Sequence, residues 1–265
     1  MKHILHLFIF LATPLISLGQ NSLINSSVSS GIGNCYTTQE GVWSLSTNPA
    51  GMANHNQYSI GVGLRNNFGI NELSSRTFVS AIPTSSGVFG VSVQQYGFEL
   101  YNENKFGISF SKILSKSFNT AIKIDYYNTH IENLENTGFF TFELGVQKKL
   151  NKKLTLGSFI HDPLGLSTNT GIPSIIAVGL VYNVNNKVKM FSETESTNFN
   201  QIELKLGLEY QIIENMYLRS GYSSLSNKNT FGFSYNIYNK YLVDLATYHH
   251  QTLGFSSQIS FSTSF

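Results

Sequence analysis

The sequence predicts an all-β membrane protein: a closed transmembrane antiparallel β-barrel of about fourteen strands, with a short N-terminal helical plug in its lumen. Three observations lead there. The chain ends on an alternating strand in which Leu253, Phe255, Ile259, Phe261 and Phe265 share one face. Gly254, Ser256, Gln258, Ser260, Ser262 and Ser264 share the other. Successive strand side chains point to opposite sides, so one side of this segment is apolar and the other polar. A terminal aromatic closing such a strand is the usual end of a bacterial outer-membrane barrel. The second observation is composition: only 12% of the 265 residues are charged and 13% are aromatic, where a soluble domain carries about 25% charged residues. The third is that no stretch beyond the first twenty residues is apolar for the roughly 20 residues a membrane helix needs. A sheet in lipid must close to pair its backbone polar groups, so one such strand implies many.

In chain order, residues 1–19 read as a secretory signal peptide. Lys2 and His3 begin it, residues 4–16 form its apolar core, and Ser17-Leu18-Gly19 supplies a small-residue cleavage site before Gln20. This sets the expected location as the bacterial outer membrane, with its lipid as the first partner. The single cysteine, Cys35, leaves no internal disulfide. It lies too far from the signal to carry a lipid anchor and reads as an inert thiol. A formal net charge of +2 gives no argument for nucleic acid.

Residues 20–56 lack alternation and form the expected plug. Thr37 or Thr38 can cap a short helix with Glu40 in its first turn. Asn48-Pro49 would end that helix, because the residue before proline is pushed out of helical geometry. Trp43, the only tryptophan, is expected to anchor the plug by burial.

Residues 57–265 form the expected barrel. The clearest strand is 201–212, where Ile202, Leu204, Leu206, Leu208, Tyr210 and Ile212 alternate with Gln201, Glu203, Lys205, Gly207, Glu209 and Gln211. The pattern repeats around 106–111, 118–127, 140–147 and 231–237, and less cleanly near 57–66, 75–83, 86–96, 153–162, 174–184, 186–195, 215–223 and 240–250. Asn185-Asn186, Glu214-Asn215 and Asn239-Lys240 read as hairpin turns. A soluble β-sandwich also alternates, but fourteen short strands would normally make two such domains. In a barrel the apolar face meets lipid and the polar face meets the lumen. Lys123, Asp125, Glu143, Glu203, Lys205, Glu209, Arg219 and Asp244 are therefore expected on the inner wall, either pairing with one another to fill the interior or serving as a selectivity lining or a dock for the plug.

No spacing marks an enzyme, a cofactor or a metal centre. His249 and His250 are adjacent on a strand, so they point to opposite faces and cannot chelate one ion together. His161-Asp162-Pro163 reads as a strand end. Gly31-Ile32-Gly33 and Gly61-Val62-Gly63 lack the strand–loop–helix context of a dinucleotide loop; glycine here is expected to relieve crowding inside the barrel.

The stretch Gly31-Ile32-Gly33 with Glu40-Gly41-Val42-Trp43-Ser44-Leu45-Ser46-Thr47-Asn48-Pro49-Ala50-Gly51-Met52-Ala53 resembles the N-terminal signature of the FadL-like long-chain fatty-acid transporters. It is closer still to their PorV/PorQ-like relatives of the type IX secretion system. The Asn48-Pro49-Ala50-Gly51 core is the specific part. In the second half, 203–210, Leu218-Arg219-Ser220-Gly221-Tyr222, Asp244-Leu245-Ala246 and Leu253-Gly254 are similar to the same group. The resemblance implies a fourteen-stranded barrel with an N-terminal plug that includes Trp43. It implies a non-enzymatic accessory or scaffold of type IX protein secretion or surface attachment, with secretion-machinery or exported proteins as partners. The alternative it implies is a passive FadL-like channel for a hydrophobic ligand such as a fatty acid. The chain is short for the PorV-like group, so the outer loops expected to bind partners are trimmed.

Overall fold

A computed structural model describes residues 26–165, 172–225 and 227–265; the expected signal peptide lies outside them. Fourteen strands follow one another: β1 (Ser59–Asn66), β2 (Ser74–Thr84), β3 (Gly87–Gly97), β4 (Tyr101–Ser115), β5 (Phe118–Ile131), β6 (Thr137–Lys149) and β7 (Leu154–His161), then β8 (Ile175–Asn183), β9 (Val188–Thr197), β10 (Gln201–Ile213), β11 (Met216–Ser223), β12 (Lys228–Ile237), β13 (Tyr241–His250) and β14 (Gly254–Ser264). Each pairs antiparallel with its sequence neighbours, and β1 pairs with β14 from Ser59↔Ser264 to Asn66↔Ser257, closing the barrel. Closure leaves no open edge, which is what lets a sheet stand in hydrocarbon.

The alternation is the physical reason for the fold. Along β5, Ile122, Ile124 and Tyr126 are exposed while Ala121, Lys123, Asp125 and Tyr127 are buried. Exposed leucine, isoleucine and phenylalanine cover most of the outside, and Ile108 is 66% exposed where Lys123 is 1% exposed. An apolar outside around a charged inside is the arrangement lipid selects, so this is an outer-membrane barrel that crosses with its strands. The links 67–73 and 162–174 are long, whereas those at the opposite rim, such as 85–86 and 116–117, are tight turns. Long links mark the extracellular rim and tight turns the periplasmic one. The periplasmic rim also holds the start of β1 and the end of β14.

Residues 26–53 run inside the barrel. Ser26 caps α1 (Ser27–Gly31), accepting from the Ser29 amide at 3.4 Å. Two 3-10 turns follow, Val42–Ser46 and Pro49–Met52. The helix expected to start at Thr37 or Thr38 is not formed. Glycine at position 41 begins the first turn, with φ at 87°, and Asn48 begins the second instead of ending a helix. Thr37 is drawn instead into bonds with the barrel wall, which outweigh a local cap.

Candidate functional site

The candidate site is the contact between residues 26–53 and the inner wall. Where residues 26–39 meet the wall, the contact is mixed: hydrogen bonds and close glycine backbone predominate, while Ile32 and Cys35 pack on Val181 and Phe191, and Tyr36 packs on Phe159 and Ala177. Gly33 donates its amide to Thr230 Oγ1 at 2.9 Å, and Ser223 Oγ donates to the Gly33 carbonyl at 2.7 Å. Ser30 Oγ donates to Gln258 at 2.8 Å, and Arg65 donates to both Ser30 (3.0 Å) and Gln258 (3.1 and 3.0 Å). Gly207 and Gly221 face Ile32 and Gly33 so closely that a Cβ at Gly207 would stand 2.6 Å from the Ile32 carbonyl oxygen.

Glu193 of β9 is the centre of this contact. The amides of Tyr36 and Thr37 and the Thr37 hydroxyl all donate to its Oε2 at 2.8 Å. Tyr36 also donates its phenol to Glu195 at 2.8 Å. Lys205 pairs with both carboxylates, at 3.3 Å from Glu193 and 2.6 Å from Glu195, and lies 4.7 Å from the Tyr36 ring centroid. Burial, reinforced by Glu195 and Glu193, pushes the Tyr36 phenol well up, so it stays a donor. Burial, then the charge of Glu193, raises the Cys35 thiol likewise, which keeps it protonated and unreactive.

Residues 42–53 make a different contact. Trp43, Leu45 and Met52 pack with Val42, Val79, Ala81 and Val88 in one buried cluster. The Trp43 ring lies over Gly61 and Gly63; a Cβ at either would stand 3.0 Å from it. Asn48 binds this half together. Its oxygen accepts from the Ala50 amide at 3.2 Å, and its nitrogen donates to the carbonyls of Thr37 (2.6 Å), Ser158 (3.2 Å) and Val146 (3.3 Å). Pro49 offers its carbonyl to Ser111 Oγ at 2.7 Å. Ala50 and Gly51 are buried, with Gly51 against the Gln39 carbonyl.

The charged residues singled out from alternation stand on the inner wall in three groups. On β4–β7, Lys123 lies 3.2 Å from both Asp125 and Glu143, and Lys105 lies 2.6 Å from Glu143. On β9–β10 stand Lys205, Glu193 and Glu195, with Glu203 half-buried further toward the extracellular rim. On β10–β13, Arg219 donates to Glu209 at 2.7 Å and to Asp244 at 3.2 Å. Buried ions of opposite sign offset each other's desolvation, which is why they occur in groups. Lys105, Arg65, Glu193 and Glu195 escaped the sequence reading, and His161 was legible only as a strand end. Glu193 and Glu195 share their face with Phe191, which blurs the alternation. Asp125, Glu143 and His161 bring potential ligand atoms within 4.8 Å of one another. Two lysine ammonium groups already supply there the positive charge that a cation would.

His249 and His250 end β13 at the extracellular rim, and His249 packs on Phe255 with ring centroids 4.7 Å apart. No family model matches this chain, and no curated protein matches it. Solved structures do match its fold. The Pseudomonas putida toluene transporter TodX aligns with TM-score 0.71 at 12% identity, covering 91% of this chain and 98% of that one. The Ralstonia pickettii toluene transporter TbuX aligns at 0.69 and 12%, covering 92% and 99%. A Pseudomonas aeruginosa FadL homologue aligns at 0.65 and 10%, covering 91% and 98%. The chain thus has the FadL-type barrel fold.

Proposed function

We propose that this protein is a non-enzymatic outer-membrane channel for hydrophobic small molecules, with residues 26–39 as its movable closure. The observation that carries this reading is the contact around Glu193. It is made mainly of hydrogen bonds and close glycine backbone, with small apolar contacts of Tyr36 on Phe159 and of Ile32 on Val181 and Phe191, and water can replace the hydrogen bonds when they open at small net cost. The likeness of the barrel to two toluene transporters supports the same reading. So does an apolar patch toward the extracellular rim, where Tyr127 and Phe139 stack at 5.3 Å beside Ile172 and Ile175. The scaffold reading, an accessory of type IX secretion, rests on the residue resemblance around Asn48-Pro49. Short outer links such as 98–100, 198–200 and 251–253 give it little surface.

The test is uptake of radiolabelled toluene and oleate by cells with and without the protein. Expression is expected to raise uptake of at least one probe, and deletion of residues 26–39 to raise it further. Unchanged uptake of both, with exported surface proteins co-purifying in stoichiometric amounts, would replace the channel with the scaffold.

A further inference from the structure

The outside of the barrel carries a feature that transport through the lumen does not use. A groove of about 790 Å³ crosses the outer wall over β2, β1, β14, β13, β12 and β11. One side is the register row Arg76, Leu64, Ile259, Leu245, Phe233 and Leu218, each paired with the next. The other side is the row above it, where Ser74, Asn66, Ser257 and Thr247 stand in succession and Phe231 follows at its lower end. Small polar side chains beside large apolar ones leave the trench open, with strand backbone as its floor.

The trench slopes through the membrane. Arg76 is two residues from the extracellular end of β2, whereas Leu218 is two residues from the periplasmic end of β11. Five strand spacings make it about 24 Å long. With strands tilted by about 35–45°, it descends roughly 15 Å, more than half the height of the apolar band. That is the length and direction of an acyl chain entering from the outer interface.

Its upper end is charged. Arg76 is exposed on the lipid-facing side, bonded to the neutral Gln95 side chain at 3.1 Å. It belongs to none of the ion pairs among the described residues. A guanidinium presents a planar fork that matches phosphate in two parallel bonds. At this depth the anions a lipid-facing arginine meets are membrane phosphates.

We infer that this trench is a binding site for a phosphate-bearing lipid of the outer leaflet, its phosphate on Arg76 and one acyl chain along Leu64, Ile259, Leu245 and Phe233. The site is independent of whether the lumen conducts. The test uses the full mature chain in nanodiscs of phosphatidylcholine doped with phosphatidylglycerol, released for native mass spectrometry. Phosphatidylglycerol is expected to stay bound in a one-to-one complex. Arg76→Gln is expected to lower its occupancy about tenfold, from loss of a charge-assisted bidentate bond. Ser257→Trp, which fills the trench from an exposed position, is expected to do the same with heat-modifiable gel mobility unchanged. Lys112→Gln, on the distant β4, is expected to change nothing. Wild-type barrel without bound phosphatidylglycerol, or equal occupancy in Arg76→Gln, would each overturn the assignment. So would a second protein seated on this face in place of lipid.

Discussion

The two halves of the inner segment are held by different balances of apolar burial and hydrogen bonding. Residues 42–53 bury Trp43, Leu45 and Met52 against Val79, Ala81 and Val88. Residues 26–39 are held chiefly by Glu193, Thr230, Ser223 and Gln258 through hydrogen bonds, across a glycine-lined wall, with smaller apolar contacts of Ile32 and Cys35 on Val181 and Phe191 and of Tyr36 on Phe159. Apolar burial is lost outright when a contact opens, because water offers nothing in return. Hydrogen bonds are exchanged with water at a small net difference. One half is thus built as an anchor next to the start of β1, and the other as a contact that opens and recloses.

The largest effect that tests this contrast is Trp43→Ala. It is expected to cost about 3–5 kcal/mol, as for other buried large-to-small changes, read as a lower urea midpoint of the detergent-refolded barrel. If stability is unchanged while conductance rises, the anchor is misplaced. Gly221→Val comes next. Its side chain would enter the space of Ile32 and Gly33, so residues 26–39 are expected to leave the wall while the barrel still folds. Planar-bilayer recordings should then show a raised open probability, and a closed, unaltered channel would break the comparison from the other side. Glu193→Gln removes the charge that Tyr36 and Thr37 bind. Hydrogen bonds to charged groups are worth about 1.5–3 kcal/mol, so it should open more often than wild type but less than Gly221→Val. Ser111→Ala, which takes one hydroxyl from the Pro49 carbonyl, is the smallest: about 1 kcal/mol of stability and no change in conductance. Equal conductance changes from Ser111→Ala and Glu193→Gln would mean that the two halves move as one.

Much of the barrel was legible because its signal is local. Period-two alternation in 201–212 or 254–265 is the same fact as the strand that forms there. The inner charges Lys123, Asp125, Glu143, Lys205, Glu209, Arg219 and Asp244 followed from parity alone. What failed was reasoning that used only near neighbours. Thr37 has the chemistry of a helix cap, yet its amide and hydroxyl bond Glu193, 156 residues away. Asn48 was legible as a turn residue, but not as the donor that ties the Thr37 carbonyl to β6 and β7. Arg65 gave no signal, since nothing near it in sequence is acidic; its partners Ser30 and Gln258 come from α1 and the last strand.

The sequence by itself determined a barrel of about fourteen strands, the direction each strand faces and the lipid-exposed outside, because these follow from side-chain alternation over a few residues; closure fixed the count at fourteen. Only the tertiary structure decided which charges meet, where glycine must leave room for residues 26–39, and that Arg76 heads a sloping trench. Those depend on the register of each strand with its neighbours and on β1 closing against β14. Register brings together residues far apart in the chain, and alternation carries no record of which ones.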